Sequence, residues 1–558
     1  MAPSHLNPAA SATERAPLLR NLSPPIGLPG RPWSTSVLTF AARIFAALSV
    51  LWLLVDYWDW TQLPLNPLPT YSVAIIGMHY LGQNPALGFI FLFWDEPSNF
   101  LQGAGPAGIS AAQHLRNSPA TRYVHFNITI YESKPVLGGA LAFHDVNGSS
   151  VFPKDDPMQI PIAAEDVAGT ALVWNSALFT QDSEKVLRDK IEFIELGPKQ
   201  IGYKTPMSTW VQLLWTYGNS VWRGNKLAQD GALQKAIVKV PLVPDVAKIF
   251  KSLGVLRPLR QRANDMLRGR SISERYTTDI LEPQVQRAYG QGLNKVTGLT
   301  AMMAVAQEEF ANAYQGENLI QRLRRIVHEI DVEVRTSTRV TGIKYVEIGE
   351  KHPAWLIRHE SADGGGGNSS IEMFDGVIIA ALDFDILLEN GEKSVPNLVN
   401  YYDIDADAAQ AAVREDDYYV PVHITFFTSD AKLSPWDDDE EVLFLEPQKA
   451  AGMRELTLVR EVFNYQDNST KAEYLYHVLS IRSVLEVLRS RANITWSYQT
   501  KIEKAYPVLS PLQRFPPFKM PWAKGFWWTS IIQRAGTSVD LNWLAGKVAA
   551  QGLINEVS

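Results

Sequence analysis

Val73-Ala74-Ile75-Ile76-Gly77 and Gly103-Ala104-Gly105-Pro106-Ala107-Gly108 decide the fold of this chain. The first reads as a buried strand ending in glycine, the opening of a dinucleotide-binding βαβ unit. Its continuation starts 26 residues later, where the second stretch runs into Ile109-Ser110-Ala111-Ala112-Gln113-His114-Leu115, an apolar-periodic helix. With Met78 to Gly103 left out, the chain reads V-A-I-I-G-A-G-P-A-G-I-S-A-A-Q-H-L, in unbroken register. Gly77 allows the tight turn, Gly105 lets the backbone approach a pyrophosphate, and Gly108 lets the helix close on the strand. The helix N-terminus then offers free N–H groups and a positive dipole end to the phosphates. Residues 78–103 have no turn chemistry suited to such a loop. They read as a retained untranslated segment, in preference to a regulatory or membrane-facing loop suggested by Phe89-Ile90-Phe91-Leu92-Phe93-Trp94.

The second strand follows in place. Asn127-Ile128-Thr129-Ile130-Tyr131 ends at Glu132, where this fold puts the partner of a ribose hydroxyl, roughly 20 residues past the helix start. Gly138-Gly139 adds a glycine pair. Together these features resemble FAD-binding oxidoreductases of the amine-oxidase type. The resemblance implies FAD held by Gly77, Gly103, Ala104, Gly105, Ala107, Gly108, Glu132, Gly138 and Gly139. Ala140 stands where that family usually has arginine, so one phosphate contact differs.

At 558 residues and 46% hydrophobic content, the chain can build two interwoven domains. A net charge of -7 leaves no basic stripe for nucleic acid. With no cysteine, disulfide scaffolds, thiol catalysis, Cys-ligated metals and flavin linked through cysteine are all excluded. The acidic run Asp437 to Glu441 lacks the spacing of a Ca²⁺ loop, and no metal site is expected.

Residues 1–36 are rich in Pro, Ser and Ala and read as a disordered cytosolic tail. Val37 to Val55 is a 19-residue apolar stretch broken by Arg43, close to the ~20 residues that span a bilayer. Trp52, Tyr57, Trp58 and Trp60 resemble an interfacial belt. Arg15, Arg20 and Arg31 before it, with Asp56 and Asp59 after it, place the tail in the cytosol and the body in a lumen. An uncleaved anchor is expected rather than a signal peptide, since no small-x-small cleavage site follows. Asn147, Asn368, Asn468 and Asn493 head glycosylation sequons; Asn127 heads another, in a strand expected to be buried. Glu14-Arg15-Ala16-Pro17-Leu18-Leu19 fits an acidic dileucine signal, which points to a lysosome or vacuole.

Residues 182–330 read as mainly helical, with Trp210, Leu213, Leu214 and Tyr217 at helical spacing. Within them, Glu282-Pro283-Gln284-Val285-Gln286-Arg287-Ala288-Tyr289-Gly290-Gln291 resembles the P-x-x-R-x-x-Y-x-Q segment of prenylcysteine oxidases. Tyr314-Gln315-Gly316-Glu317-Asn318-Leu319, Glu165-Asp166-Val167-Ala168-Gly169-Thr170, Tyr419-Val420-Pro421-Val422-His423-Ile424-Thr425 and Ala505-Tyr506-Pro507 are similar to further segments of that family, in order. Thr338-Arg339-Val340 resembles its adenine-contacting stretch, and the strand, Gly536 and helix between Phe526 and Leu553 its flavin-closing segment. There Gln533, Asp540 and Asn542 depart from the family pattern.

The expected architecture is therefore α/β: a Rossmann-like FAD-binding domain (71–181, 331–400, 511–558) interwoven with an α+β substrate domain (182–330, 401–510). One transmembrane helix (37–55) and a linker (56–70) precede it. The resemblance implies oxidation of S-prenylcysteine by FAD and O₂, with Tyr289, Gln291 and His423 as candidates for positioning substrate or water. Satisfied core polar groups are the competing account of those three. Another FAD amine or polyene oxidoreductase, or a catalytically silent membrane-anchored lipid-binding protein, are the alternatives.

Overall fold

The computed structural model describes residues 70–76, 103–139, 207–310, 319–381, 419–433, 452–512 and 515–557, with short breaks, and isolated strands between them. The chain divides into Met1–Leu68 and Pro69–Ser558, and every described residue belongs to the second unit. The expected tail and anchor, Gly77, the segment 78–102 and Glu165 to Thr170 lie outside the described residues. Among the described residues no helix is long and apolar enough to cross a membrane.

The chain opens with β1 (Thr70–Ile76), α1 (Pro106–Asn117) and β2 (His125–Tyr131). A helical stretch follows, including α2 (Ser220–Gly231), α3 (Glu282–Tyr289), α4 (Gly298–Phe310) and α5 (Leu319–Ile330). Strands β3 (Glu333–Arg335), β4 (Thr338–Ile348), β5 (His352–Ser361), β6 (Ser370–Phe374) and β7 (Gly376–Ile379) come next. Then come β8 (Tyr419–Ser429), β9 (Val442–Phe444), β10 (Met453–Asn464), β11 (Lys471–Ser480), β12 (Ile494–Pro507), β13 (Phe526–Trp528) and α6 (Val539–Val557). The helical region is not uniform: Phe193–Glu195 pairs antiparallel with Asn312–Tyr314.

A parallel sheet in the order β13-β7-β1-β2-β3 forms the first layer. Val73 to Ile76 and Gly376 to Ile379 are buried as continuous apolar runs, as a sheet covered on both faces requires. Pro106 at the first position of α1 has no N–H to lose, and the helix stops before Ser118-Pro119. Helix α1 is buried on nearly every side because α6 lies against it: Ser110 Oγ donates to Trp543 O at 2.6 Å. A Cβ on Gly546 would lie 2.1 Å from Ala107 O, so the helices cross at backbone distance. β4, β5 and β6 pair antiparallel, with Ile371–Phe374 against Trp355–Arg358.

The third sheet is antiparallel, in the order β9-β10-β11-β8-β12. Its two faces alternate as strand geometry demands. Val422, Ile424, Phe426, Leu475 and Leu479 join the main core, whereas Phe427, Tyr476 and Val478 form a separate cluster with Val484 and Leu488. Asn127 corrects an expectation: it is exposed, because the first half of β2 alternates in burial rather than being buried throughout.

Candidate functional site

The glycine loop and the β2 end come together as the motif requires. A Cβ on Gly108 would sit 1.8 Å from Gly103 O and 3.1 Å from Ile75 Cγ2, so α1 packs on β1 through a position only glycine fills. Glu132, fully buried, accepts from Ala104 N at 3.0 Å and from Lys134 N at 2.9 Å. Gly138 N donates to Ala104 O at 3.0 Å, and Gly138 and Gly139 hold φ of 123° and 64°, which side chains resist. Thr338 N donates to Glu132 O at 2.9 Å, which fixes the start of β4 and the buried Val340 beside the same acid.

Burial pushes the Glu132 carboxyl up to about 7, against the lowering effect of the backbone donors of Lys134 and Ala104. A carboxyl whose folded value exceeds its ordinary 4.5 contributes stability that is complete below 4.5 and lost as pH rises towards 7. The cofactor-free protein should therefore lose thermal stability between pH 5 and pH 7.5, about a few kcal/mol at most. Glu132→Gln should flatten that slope, measured by thermal unfolding across the range; an equal slope in both proteins would contradict it.

The residues present fit a large polar cofactor. Ser133 Oγ beside Glu132, and Ser530 Oγ, Gln533 Oε1 and Thr537 Oγ1 in the segment before α6, are buried without a hydrogen-bond partner among the described residues. Buried polar atoms are ordinarily satisfied, so such orphans mark where a ligand's polar groups belong. Gln533 Nε2 meanwhile donates to Asn542 Oδ1 at 3.1 Å, so two of the sequence departures pair with each other. Gly536 packs against Met303 Sδ, which a Cβ would meet at 3.0 Å.

On the substrate side the three candidates do not share one place. Tyr289, 2% exposed, donates from its hydroxyl to Thr537 O at 3.3 Å and packs edge-on against Tyr506. It therefore joins α3 to the flavin-closing segment. Gln291 spends its amide on backbone: Nε2 donates to Pro507 O at 2.9 Å and Oε1 accepts from Leu509 N at 2.9 Å. That clamps the segment Ala505-Tyr506-Pro507 to the end of α3. His423 lies opposite Ser480 and Lys501 in register, on the sheet face that carries Phe427 and Tyr476 rather than the main core. The two-residue period thus separates it from Tyr289.

Sequence reading missed a buried polar group on the core-facing side of the same sheet. Arg287 Nε donates to Glu455 Oε2 at 2.5 Å, Thr457 Oγ1 donates to Glu455 Oε1 at 2.6 Å, and His477 Nδ1 lies 3.8 Å from Glu455 Oε1. Arg454, the neighbour of Glu455, is also buried. Polar residues at alternate positions of a strand, as in Glu455 and Thr457, were the available signal.

A parallel Rossmann-like sheet with an acid-anchored glycine loop, interwoven with an antiparallel sheet and a helical layer, defines a dinucleotide-dependent oxidoreductase of the flavoprotein kind. The chain belongs to the prenylcysteine lyase family, which it matches over residues 204–558, and residues 103–164 match an NAD(P)-binding Rossmann-like domain. It is accordingly an FAD-dependent oxidoreductase. No curated protein matches the chain. Among solved structures, wild-type putrescine oxidase bound to putrescine is 12% identical over 88% of this chain and 100% of that one, at a TM-score of 0.45. An oxidoreductase from Methanosarcina mazei is 13% identical over 81% and 98%, at 0.43. Rab GDI from Plasmodium falciparum is 10% identical over 83% and 93%, at 0.39. Likenesses this distant say nothing of substrate.

Proposed function

We propose that this protein oxidises S-prenyl-L-cysteine, farnesyl or geranylgeranyl, to a prenyl aldehyde, with O₂ and water consumed and cysteine and H₂O₂ released. The family match over residues 204–558, which takes in nearly all of the substrate side, carries the reading. The bound FAD would supply a two-electron acceptor for hydride from the carbon beside sulfur, with O₂ as the final oxidant. Sulfur supports the electron-poor carbon, and water completes the cleavage. Hydride loss requires no general base, which accounts for the lack of an acid–base pair in the sequence. The protein's own part is placement: Gly105 and the N-terminus of α1 would receive the pyrophosphate, and Glu132 would hold the ribose. Tyr289 ties the substrate helix to the closing segment through Thr537 O.

Anaerobic titration with farnesylcysteine should bleach the bound flavin, and admitting O₂ should restore it with aldehyde and H₂O₂ in equal amounts. Flavin that stays oxidised would move the reading to another donor. The interval between Gly77 and Gly103 favours one second reading, a silent lipid-binding protein. Our account is instead that residues 78–103 are retained untranslated sequence, so that a transcript joining Gly77 to Ala104 encodes the flavin-loaded form. An apoprotein that binds farnesylcysteine without oxidising it would favour the silent protein.

The N-terminal pattern supports a single-pass anchor at 37–55 with the body in a lysosomal or vacuolar lumen. Asn493 is exposed, its Nδ2 donating to Asp430 Oδ2 at 2.9 Å, and Asn127 is exposed too. Glycosidase treatment of the protein from its own cells should shift its mobility, and Asn493→Gln should remove one step of that shift. A protein unchanged by glycosidase would argue against a luminal body.

A further inference from the structure

Among the described residues, Arg454 is a buried cation without a counter-charge. It lies where the register of β10 against β11 slips by one residue: Met453 pairs with Ser480, Glu455 pairs with Leu479, and Arg454 is the extra residue between them. Such bulges re-aim side chains and gather beside active sites. Its side chain, 5% exposed, reaches across to α3, where Nη2 donates to Gly290 O at 2.8 Å. Gly290 makes the room: with φ of 67°, it ends α3 in the left-handed region, and a Cβ there would lie 2.5 Å from Arg454 Nη1.

A guanidinium carries five donors, and burying one unpaired is expensive. The adjacent carboxylate does not answer it, because Glu455 is engaged by Arg287 and Thr457. No acidic side chain among the described residues forms an ion pair with Arg454. Burial accordingly pulls its pKa down to about 10, opposed only by Tyr506. Tyr506 packs on Tyr289, whose hydroxyl reaches Thr537 O in the closing segment, so the lone cation belongs to the cluster that adjoins the cofactor side.

We propose that Arg454 is the subsite for the carboxylate of an amphiphilic substrate, paired through its guanidinium fork while the apolar tail lies elsewhere in the substrate domain. The identity of that amphiphile as S-prenylcysteine rests on the proposed function; the carboxylate requirement does not. An ester of the same thioether would be a poor substrate, so a hydrolytic reaction that frees the carboxylate has to precede this enzyme.

The test compares farnesylcysteine with its methyl ester in wild type, Arg454→Lys and Arg454→Met. Wild type should favour the acid about 100-fold in kcat/KM, since an arginine–carboxylate pair lost from a buried site costs about 2.7 kcal/mol. Arg454→Met should lose that preference through KM, with the ester unaffected. Arg454→Lys, which keeps the charge and loses the fork, should keep about a tenth of it. An unchanged acid-to-ester ratio in Arg454→Met, at wild-type flavin content and melting temperature, overturns the subsite and leaves the proposed function standing. Should Arg454→Met fail to fold, Arg454→Lys decides by the same ratio. Equilibrium dialysis with dodecanoate and dodecanol gives a readout free of turnover. Selective loss of dodecanoate in the variants, in an enzyme that oxidises no prenyl thioether, would sink the proposed function and sustain the subsite.

Discussion

Gly108→Ala should yield a folded protein that retains almost no FAD. The single added carbon would lie 1.8 Å from Gly103 O, a backbone atom of the very turn that must receive the phosphates; in the joined sequence Gly77 precedes Ala104 in its place. The clash with Ile75 Cγ2 at 3.1 Å can relax by a small side-chain shift, whereas the first can relax only if the turn moves away from α1. Moving it breaks the approach of backbone N–H groups to the pyrophosphate. A loss of about 100-fold in FAD affinity corresponds to about 2.7 kcal/mol, within the range for two or three lost charge-assisted hydrogen bonds. The flavin-to-protein absorbance ratio after purification, and reconstitution with added FAD, measure it directly. Gly269→Ala is the control, because nothing lies within 4 Å of a Cβ there. Stoichiometric FAD in Gly108→Ala would mean that the turn does not bear the phosphates.

Arg287→Met should be the most destabilising substitution on the substrate side. Glu455 is 2% exposed, and burial alone would raise its carboxyl; Arg287, with His477 and Thr457, overrides burial and holds the group at about 2. A depressed folded value stabilises above the ordinary 4.5 and is lost as pH falls towards 2. Without Arg287 the sign reverses, since the stranded carboxyl must take up a proton to stay buried. The expected cost at pH 7 is about 3–5 kcal/mol, shrinking as the pH is lowered towards 5. Adding Glu455→Met to Arg287→Met should restore most of it, because an apolar pair leaves no buried charge. Urea midpoints of the three proteins at pH 5 and pH 7 check both statements. A single variant within 1 kcal/mol of wild type at pH 7 would show that water reaches Glu455.

The nucleotide half was legible because its requirements are local. Gly108, Glu132 and Gly138 answer to backbone geometry within one βαβ unit, and spacing alone locates them. The substrate half depends on pairings that spacing does not carry. Arg287 lies in a recognisable motif, but its partner Glu455 is 168 residues away. His423 lies in a segment that resembles the family, yet strand alternation fixes only that neighbours face opposite ways, and the surrounding packing decides which face meets the core. Arg454 is further out of reach, because a one-residue slip between two strands leaves no trace in hydrophobic pattern. Gln291 stands out in the sequence through its resemblance to a family segment, and its amide serves the backbone.

The crossing of α1 and α6 has a consequence for how the protein is made. Ser110 bonds to Trp543, 433 residues along the chain, and β1 lies at the middle of a sheet whose outer strand is β13. A ribosome delivers the glycine loop long before its covering helix, so this domain, begun early, is completed late. Until α6 emerges, the flank of α1 that it covers stays open to water, although β1, β2 and α5 already lie against its other sides. A product that stops short of α6 would leave that flank exposed, and the cell would read it as misfolded rather than shortened.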